Sequence, residues 1–166
     1  MTVASAHRAV GMAQLMPSGI RTDRLIMPTS PTRRERRIVP RPLRVLVVDD
    51  NGDLRRLWRE WFTLWGFLVE EAADGQEAVE KAHARPPALI LMDWTMPVLS
   101  GSAATRKLKA DLRTAAVPVV ALSADVTSTS PEDAMASGCE AFLSKPIRPY
   151  DLLSAIRSIL RGATAH

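Results

Sequence analysis

Three aspartates, a serine and a lysine carry the clearest chemistry in this sequence, because each closes a short apolar run. Val45-Leu46-Val47-Val48 leads into Asp49-Asp50, Leu89-Ile90-Leu91-Met92 into Asp93, Val119-Val120-Ala121-Leu122 into Ser123, and Phe142-Leu143 into Ser144-Lys145-Pro146. A single acid in such a place could simply cap the helix that follows, a role for which Asp50 or Asn51 is suited. Three acids at one edge are different, since two carboxylates about 4 Å apart repel by about 4 kcal/mol at an effective dielectric of roughly 20. A cation must offset that repulsion. The donors are all oxygen, with no His or Cys beside them, which suits a hard ion. Few carboxylates with room for water favour Mg2+ over a full Ca2+ cage, and the linear Ca2+-loop pattern of alternating acids is absent.

The elements that must gather these groups follow from the periodicity. Short runs rich in β-formers (Arg44–Val48, Phe67–Glu70, Ala88–Met92, Val117–Leu122 and Ala141–Leu143) alternate with amphipathic segments, as in a parallel sheet covered on both faces by crossover helices. Leu54, Leu57, Trp58, Trp61 and Trp65 recur at helical steps and share one face, and Gly66 stops that helix. Gly75–Ala84 and Ser102–Leu112 are expected to be further helices. Ser130-Pro131-Glu132-Asp133 reads as a helix start, and Tyr150–Leu160 as a last helix with Leu152, Leu153, Ile156, Ile159 and Leu160 inward. The result is an α/β fold of (βα)5 type, a doubly wound five-stranded parallel sheet. In such sheets ligands sit beyond the carboxyl ends of the strands, where Asp49, Asp50, Asp93, Ser123 and Lys145 fall.

Composition sets the boundaries. The chain of 166 residues is 46% hydrophobic, 24% charged and 5% aromatic, which excludes collagen-like, coiled-coil and fully disordered classes. No apolar run approaches the roughly 18 residues that span a bilayer, and no signal peptide is evident, so a cytoplasmic protein without a membrane partner is expected. One cysteine, Cys139, allows neither an internal disulfide nor a thiolate metal site, and reads as a buried small hydrophobe. Charge is uneven: residues 1–42 hold eight arginines and two acids, a balance of +6, whereas residues 43–166 hold 14 basic and 16 acidic side chains. The first 42 residues also hold five prolines and no aromatic residue, and are expected to be a disordered, dispensable extension. Their Arg33, Arg34, Arg36 and Arg37 lack the interleaved aromatics of a specific nucleic-acid reader. The folded domain is expected over 43–162, with 163–166 as a short tail.

Val45-Leu46-Val47-Val48-Asp49-Asp50-Asn51, Leu91-Met92-Asp93-Trp94-Thr95-Met96-Pro97, Gly101, Ala121-Leu122-Ser123-Ala124 and Phe142-Leu143-Ser144-Lys145-Pro146, taken in order, resemble the receiver domain of two-component response regulators, of the single-domain, CheY-like or DivK-like type. The resemblance spans about 120 residues. It implies a flavodoxin-like sheet of order 2-1-3-4-5 and a phosphoacceptor role for Asp93, which would take a phosphoryl group from a phosphohistidine. Carboxylate nucleophiles are already ionised at neutral pH, so the protein's task is alignment and charge neutralisation. By resemblance, Asp50, Asp93 and the backbone carbonyl of Thr95 hold Mg2+, and Asp49 does so directly or through water. Lys145 pairs with one phosphoryl oxygen and Ser123 donates to another. Ser123 and Phe142 form the switch that alters the surface of the fourth helix, fifth strand and fifth helix, and the Lys145–Pro146 peptide is cis.

Partners implied are a sensor histidine kinase, a histidine phosphotransfer protein or both, and an effector; the protein is a monomer or a weak phosphorylation-dependent dimer. The resemblance implies a signalling domain rather than an enzyme. Three departures stand out: Ser123 replaces the commoner Thr, Phe142 the frequent Tyr, and Ser100 an acid; Trp94 is expected to be a partly exposed cover on the site. Thr95 and Asp125 occupy positions that govern hydrolysis of the phosphoryl group. Two other readings compete. A haloacid-dehalogenase-type phosphatase needs a second acid two residues after the nucleophile, where this chain has Thr95. A pseudo-receiver that binds partners without phosphate is disfavoured by the intact acids, Ser123 and Lys145. No catalysis falls to His7, His83 or His166.

Overall fold

A computed structural model describes residues 42–124 and 131–163. The Arg-rich extension up to Arg41, Asp125, Ser130 and residues 164–166, on which the sequence raises expectations, lie outside the described residues. Strands and helices alternate as β1 (Arg44–Val48), α1 (Gly52–Leu64), β2 (Leu68–Ala72), α2 (Gly75–Ala84), β3 (Leu89–Asp93), α3 (Gly101–Ala110), β4 (Val119–Ser123), α4 (Pro131–Ala136), β5 (Ala141–Ser144) and α5 (Pro149–Ala163). All strands pair in parallel, in the order β2-β1-β3-β4-β5.

The first three helices each begin at a polar cap. Asn51 accepts the amides of Asp53 and Leu54 to open α1, Asp74 those of Gln76 and Glu77 to open α2, and Ser100 that of Ala103 to open α3. Glu77 reaches back to the Ala73 amide at 2.7 Å, which holds its carboxyl below the ordinary value. Gly66, with φ 88°, ends α1 in the left-handed conformation that an L side chain rarely adopts.

The pleat divides the core into two layers. Val45 and Val47, with Leu89 and Leu91, face Trp58 and Phe62 of α1 and Leu152 and Ile156 of α5. Leu46 and Val48, with Ile90 and Met92, face α2, α3 and α4 through residues such as Val79, Leu108 and Ala134. β1, β3 and β4 are therefore apolar along both faces, whereas the edge strand β2 carries Glu70 and Glu71. Both acids are tied inward, Glu70 to Arg44 and Glu71 to Arg55 and Arg59.

Several element boundaries, and one helix face, differ from the periodicity. β2 starts at Leu68 and runs to Ala72, because its register pairs Arg44 with Leu68 and Val48 with Ala72. β4 starts at Val119, since the Val117 amide is turned to the Thr114 carbonyl and Pro118 has no amide to offer. α3 stops at Ala110: Asp111 is extended, pairs with Arg113 and leaves Leu112 96% exposed. On α1 the inward face centres on Trp58 and Phe62, and Leu57 points outward. Among the described residues no helix is long and apolar enough to cross a membrane.

Candidate functional site

The carboxyl ends of β1, β3, β4 and β5 bring the five sequence-selected residues to one edge of the sheet. Asp49 follows β1 and is 2% exposed; its Oδ1 accepts the Asn51 amide at 2.9 Å and its Oδ2 accepts Lys145 Nζ at 2.8 Å. Asp93 is the last residue of β3 and also buried, with Oδ2 3.2 Å from the same ammonium. Asp50 is exposed, and one carboxylate oxygen from each of Asp49, Asp50 and Asp93 lies within 4.8 Å of the others. Lys145 is placed by the backbone: its amide donates to the Ser123 carbonyl at 2.8 Å, while Ser123 and Ser144 lie side by side in the β4–β5 register. The Lys145–Pro146 peptide is cis. Ser123 is fully buried at the end of β4, and Phe142, opposite Ala121, is half-buried against the α2–α4 layer.

Electrostatics within the cluster are opposed. Burial pushes the Asp93 carboxyl up; Lys145 pulls it down, Asp49 pushes it further up, and the net position is above the ordinary carboxylate value. For Lys145 burial works against the charged form, but the hydrogen bond to Asp49 and the nearby Asp93 charge outweigh it and hold the ammonium above its ordinary value. The lysine is thus a resident counter-ion to two buried carboxylates. The donor chemistry fits a hard divalent cation: three carboxylates converge, and among the described residues neither His nor Cys joins the group.

The loop after β3 is shaped by close packing. Gly101 donates its amide to the Trp94 carbonyl at 3.1 Å, and a Cβ there would stand 2.3 Å from the Asp93 carbonyl oxygen. Only glycine lets α3 start so close to the acid. Within the loop, Val98 has φ 67°, an outlier for a β-branched residue. Thr95 is exposed, and its amide hydrogen-bonds the Asp93 carboxylate.

Trp94 corrects an expectation. Rather than a partly exposed cover, it is 7% exposed and packs in the α2–α4 layer with Met92 and Met96. Its amide donates to the Leu122 carbonyl at 2.8 Å, so the strand's alternation continues past Asp93 and sends every second side chain to the same layer.

Residues 45–157 match the response regulator receiver domain. The chain belongs to that family. Curated relatives include the polar-differentiation response regulator DivK of Brucella anthropi, 34% identical over 122 residues that make up 74% of this chain and 99% of that protein. The DivK of Brucella ovis is likewise 34% identical, over 72% of this chain and 97% of its own length. Among solved structures, the Vibrio cholerae chemotaxis protein CheY4 superimposes with a TM-score of 0.66 at 28% identity, covering 70% of this chain and 98% of that one. The receiver domain of the sensor histidine kinase PA1611 from Pseudomonas aeruginosa PAO1, described with a magnesium ion coordinated in its active-site cleft, gives 0.66 at 30% identity, covering 75% and 99%.

Two features of this receiver's acidic cluster were missed by sequence reasoning. Lys145 is bonded to Asp49 as well as to Asp93, a pairing across 96 residues that no local pattern announces. Arg55, on α1, donates to the Asp49 carbonyl at 2.6 Å; its six-residue spacing from Asp49 is the only trace the sequence carries. Beside Lys145 the receiver also has an apolar groove of about 430 Å3, lined by Leu54, Trp58, Pro146, Ile147 and Pro149.

Proposed function

We propose that this receiver accepts a phosphoryl group on Asp93 from a phosphohistidine-bearing partner, in a Mg2+-dependent reaction, and signals through the α4–β5–α5 surface. The observation that carries the reading is the convergence of Asp49, Asp50 and Asp93 within 4.8 Å, with Lys145 bridging Asp49 and Asp93. An Asp93 oxygen bonds to phosphorus as the phosphorus–nitrogen bond to the donor histidine breaks, and the donor ring, already protonated at its other nitrogen, leaves as neutral imidazole. Asp50, Asp93 and the Thr95 carbonyl, with Asp49 directly or through water, would hold the Mg2+, which would supply neutralisation of the charge carried by the phosphoryl oxygens. Lys145 is already 3.2 Å from the Asp93 carboxylate, so a short movement lets its ammonium pair with a phosphoryl oxygen. The buried Ser123 donates its hydroxyl to another.

Ser123 drawn toward the phosphoryl group opens room for Phe142, three residues before Lys145 and only half-buried, to turn inward. Phosphorylation then shifts the balance between two packings of α4, β5 and α5. The donor is a sensor histidine kinase or a histidine phosphotransfer protein, and the readout is an effector that recognises the changed surface; the receiver itself is a monomer or a weak phosphorylation-dependent dimer. The apolar groove next to Lys145 supports the reading, because it offers a donor helix a hydrophobic seat at the edge of the acidic cluster.

Incubation with acetyl phosphate and Mg2+, read by intact mass, tests this. The expected result is a gain of one phosphoryl group that Asp93→Asn and EDTA each abolish. A wild-type mass unchanged after incubation refutes the reading and favours a module that binds partners without phosphate.

A further inference from the structure

Asp49 lies one residue past the end of β1, and its carbonyl is met by a side chain: Arg55 Nη1 donates to it at 2.6 Å. The arginine is held in turn. Its Nε is 3.6 Å from Glu71 Oε2 on β2, and Arg59 Nε is 3.4 Å from the other oxygen of the same carboxylate. The Glu71 carbonyl accepts Lys81 Nζ at 2.6 Å, so the glutamate is anchored by α2 as well. The Arg55 side chain is only 20% exposed and lines a polar cavity of about 200 Å3 with Glu71, Glu77 and Lys81.

We propose that Arg55 is the positioning residue of the acidic cluster: gripped by Glu71, it pins the peptide between Asp49 and Asp50 and so fixes where both carboxylates meet a divalent cation. The Asp49 carbonyl and the Asp50 amide belong to one rigid plane, and holding that plane sets the direction in which both side chains leave the backbone. Asp49 has further restraints in the Asn51 amide and Lys145, but Asp50 is exposed and depends on its backbone for placement. The inference rests on the reading of this cluster as a Mg2+-dependent phosphoacceptor site.

Charge and positioning act in opposite directions here. A guanidinium close to a cation site repels the cation, so if Arg55 acted through charge alone, Arg55→Gln would tighten Mg2+ binding. If it positions the acids, the same change loosens binding, and removal of such supporting partners typically costs about 10- to 100-fold in metal affinity.

The test is Mg2+ titration calorimetry on the full chain at fixed ionic strength, with wild type, R55Q, R55K, E71Q and, as a surface control, R56Q. R55Q is expected to bind Mg2+ about tenfold more weakly. R55K, which keeps a donor for the carbonyl, should recover at least half of that loss on a logarithmic scale. E71Q should weaken binding several-fold although it leaves Arg55 in place, and R56Q should match wild type. Should R55Q fail to fold, E71Q and R55K decide the matter. Wild-type binding that R55Q and E71Q leave unchanged or tighten overturns the positioning role alone. Wild-type protein that binds no Mg2+ overturns the reading of the site and the inference with it.

Discussion

Replacing Lys145 by Met removes the counter-ion from two buried carboxylates, and the consequence can be sized from the distances. The ammonium stands 2.8 Å from Asp49 and 3.2 Å from Asp93, with side chains 16%, 2% and 9% exposed in that order. At an effective dielectric of roughly 20 each contact is attractive by about 5 kcal/mol before desolvation. Burying the lysine offsets much of that, and breaking a buried pair from one side typically costs about 3 to 5 kcal/mol. Asp93, already held above the ordinary carboxylate value, relieves part of the stress by taking up a proton, so the low end applies. Lys145→Met is therefore expected to lose about 3 kcal/mol in EDTA, a fall in Tm of about 12 °C for a domain of this size. Mg2+ replaces the missing positive charge. At ten times its dissociation constant it stabilises wild type by about 1.4 kcal/mol, and it should stabilise the variant by more, because no ammonium competes for the carboxylates. Thermal melts of both proteins in EDTA and in saturating Mg2+ are the assay, and the EDTA gap should shrink by more than half when the metal is added. A variant melting within about 2 °C of wild type in EDTA, or a gap that Mg2+ leaves untouched, refutes the counter-ion role.

Gly101→Ala should destabilise by about 3 kcal/mol in urea unfolding and impair phosphorylation, since the new methyl would stand 2.3 Å from the Asp93 carbonyl oxygen and 2.9 Å from Trp94 Cα, both backbone atoms. Val98→Gly should raise stability by about 1 kcal/mol in the same assay: the strain of φ 67° on a β-branched residue exceeds the entropy glycine adds to the unfolded chain, and the side chain, 84% exposed, loses little packing. Cys139 is 4% exposed, and burial pushes its thiol up to about 11. Iodoacetamide should label it slowly in the native protein near pH 8 and fast after unfolding. Because the folded thiol keeps its proton after the unfolded one has lost it, stability should fall as pH rises from about 9 through 11 in alkaline melts.

The fold was legible because its signals are local. Apolar runs closed by acids, glycine at the end of α1 and a capping residue before it mark elements without tertiary information, and the strands buried on both faces announced a parallel sheet. Boundaries were less legible where pairing decides: Glu70 read as the end of a strand, yet register with β1 and three arginines carry β2 on to Ala72. In the candidate site, residue types and order brought Asp49, Asp50, Asp93, Ser123 and Lys145 to one edge. Burial could not be read the same way. Trp94 follows the acid and looks like a lid, but the alternation of β3 sends it into the core. The hold of Lys145 on Asp49 and that of Arg55 on the carbonyl next to Asp50 exist only once separate elements pack, so nothing in the linear pattern could specify them.

The margins of the sheet bear on how this protein meets copies of itself. Among the described residues β2 pairs only with β1, and β5 only with β4, so each leaves one side without a neighbouring strand there. At one margin two glutamates are clamped by arginines from their own domain, and at the other the strand is four residues long and ends in an exposed serine. Neither rim is a good template for a fifth hydrogen-bonded ladder, and growth into ribbons or fibrils by strand addition is discouraged at both. Strand addition is thus an unfavourable route for one copy of the domain to pair with another.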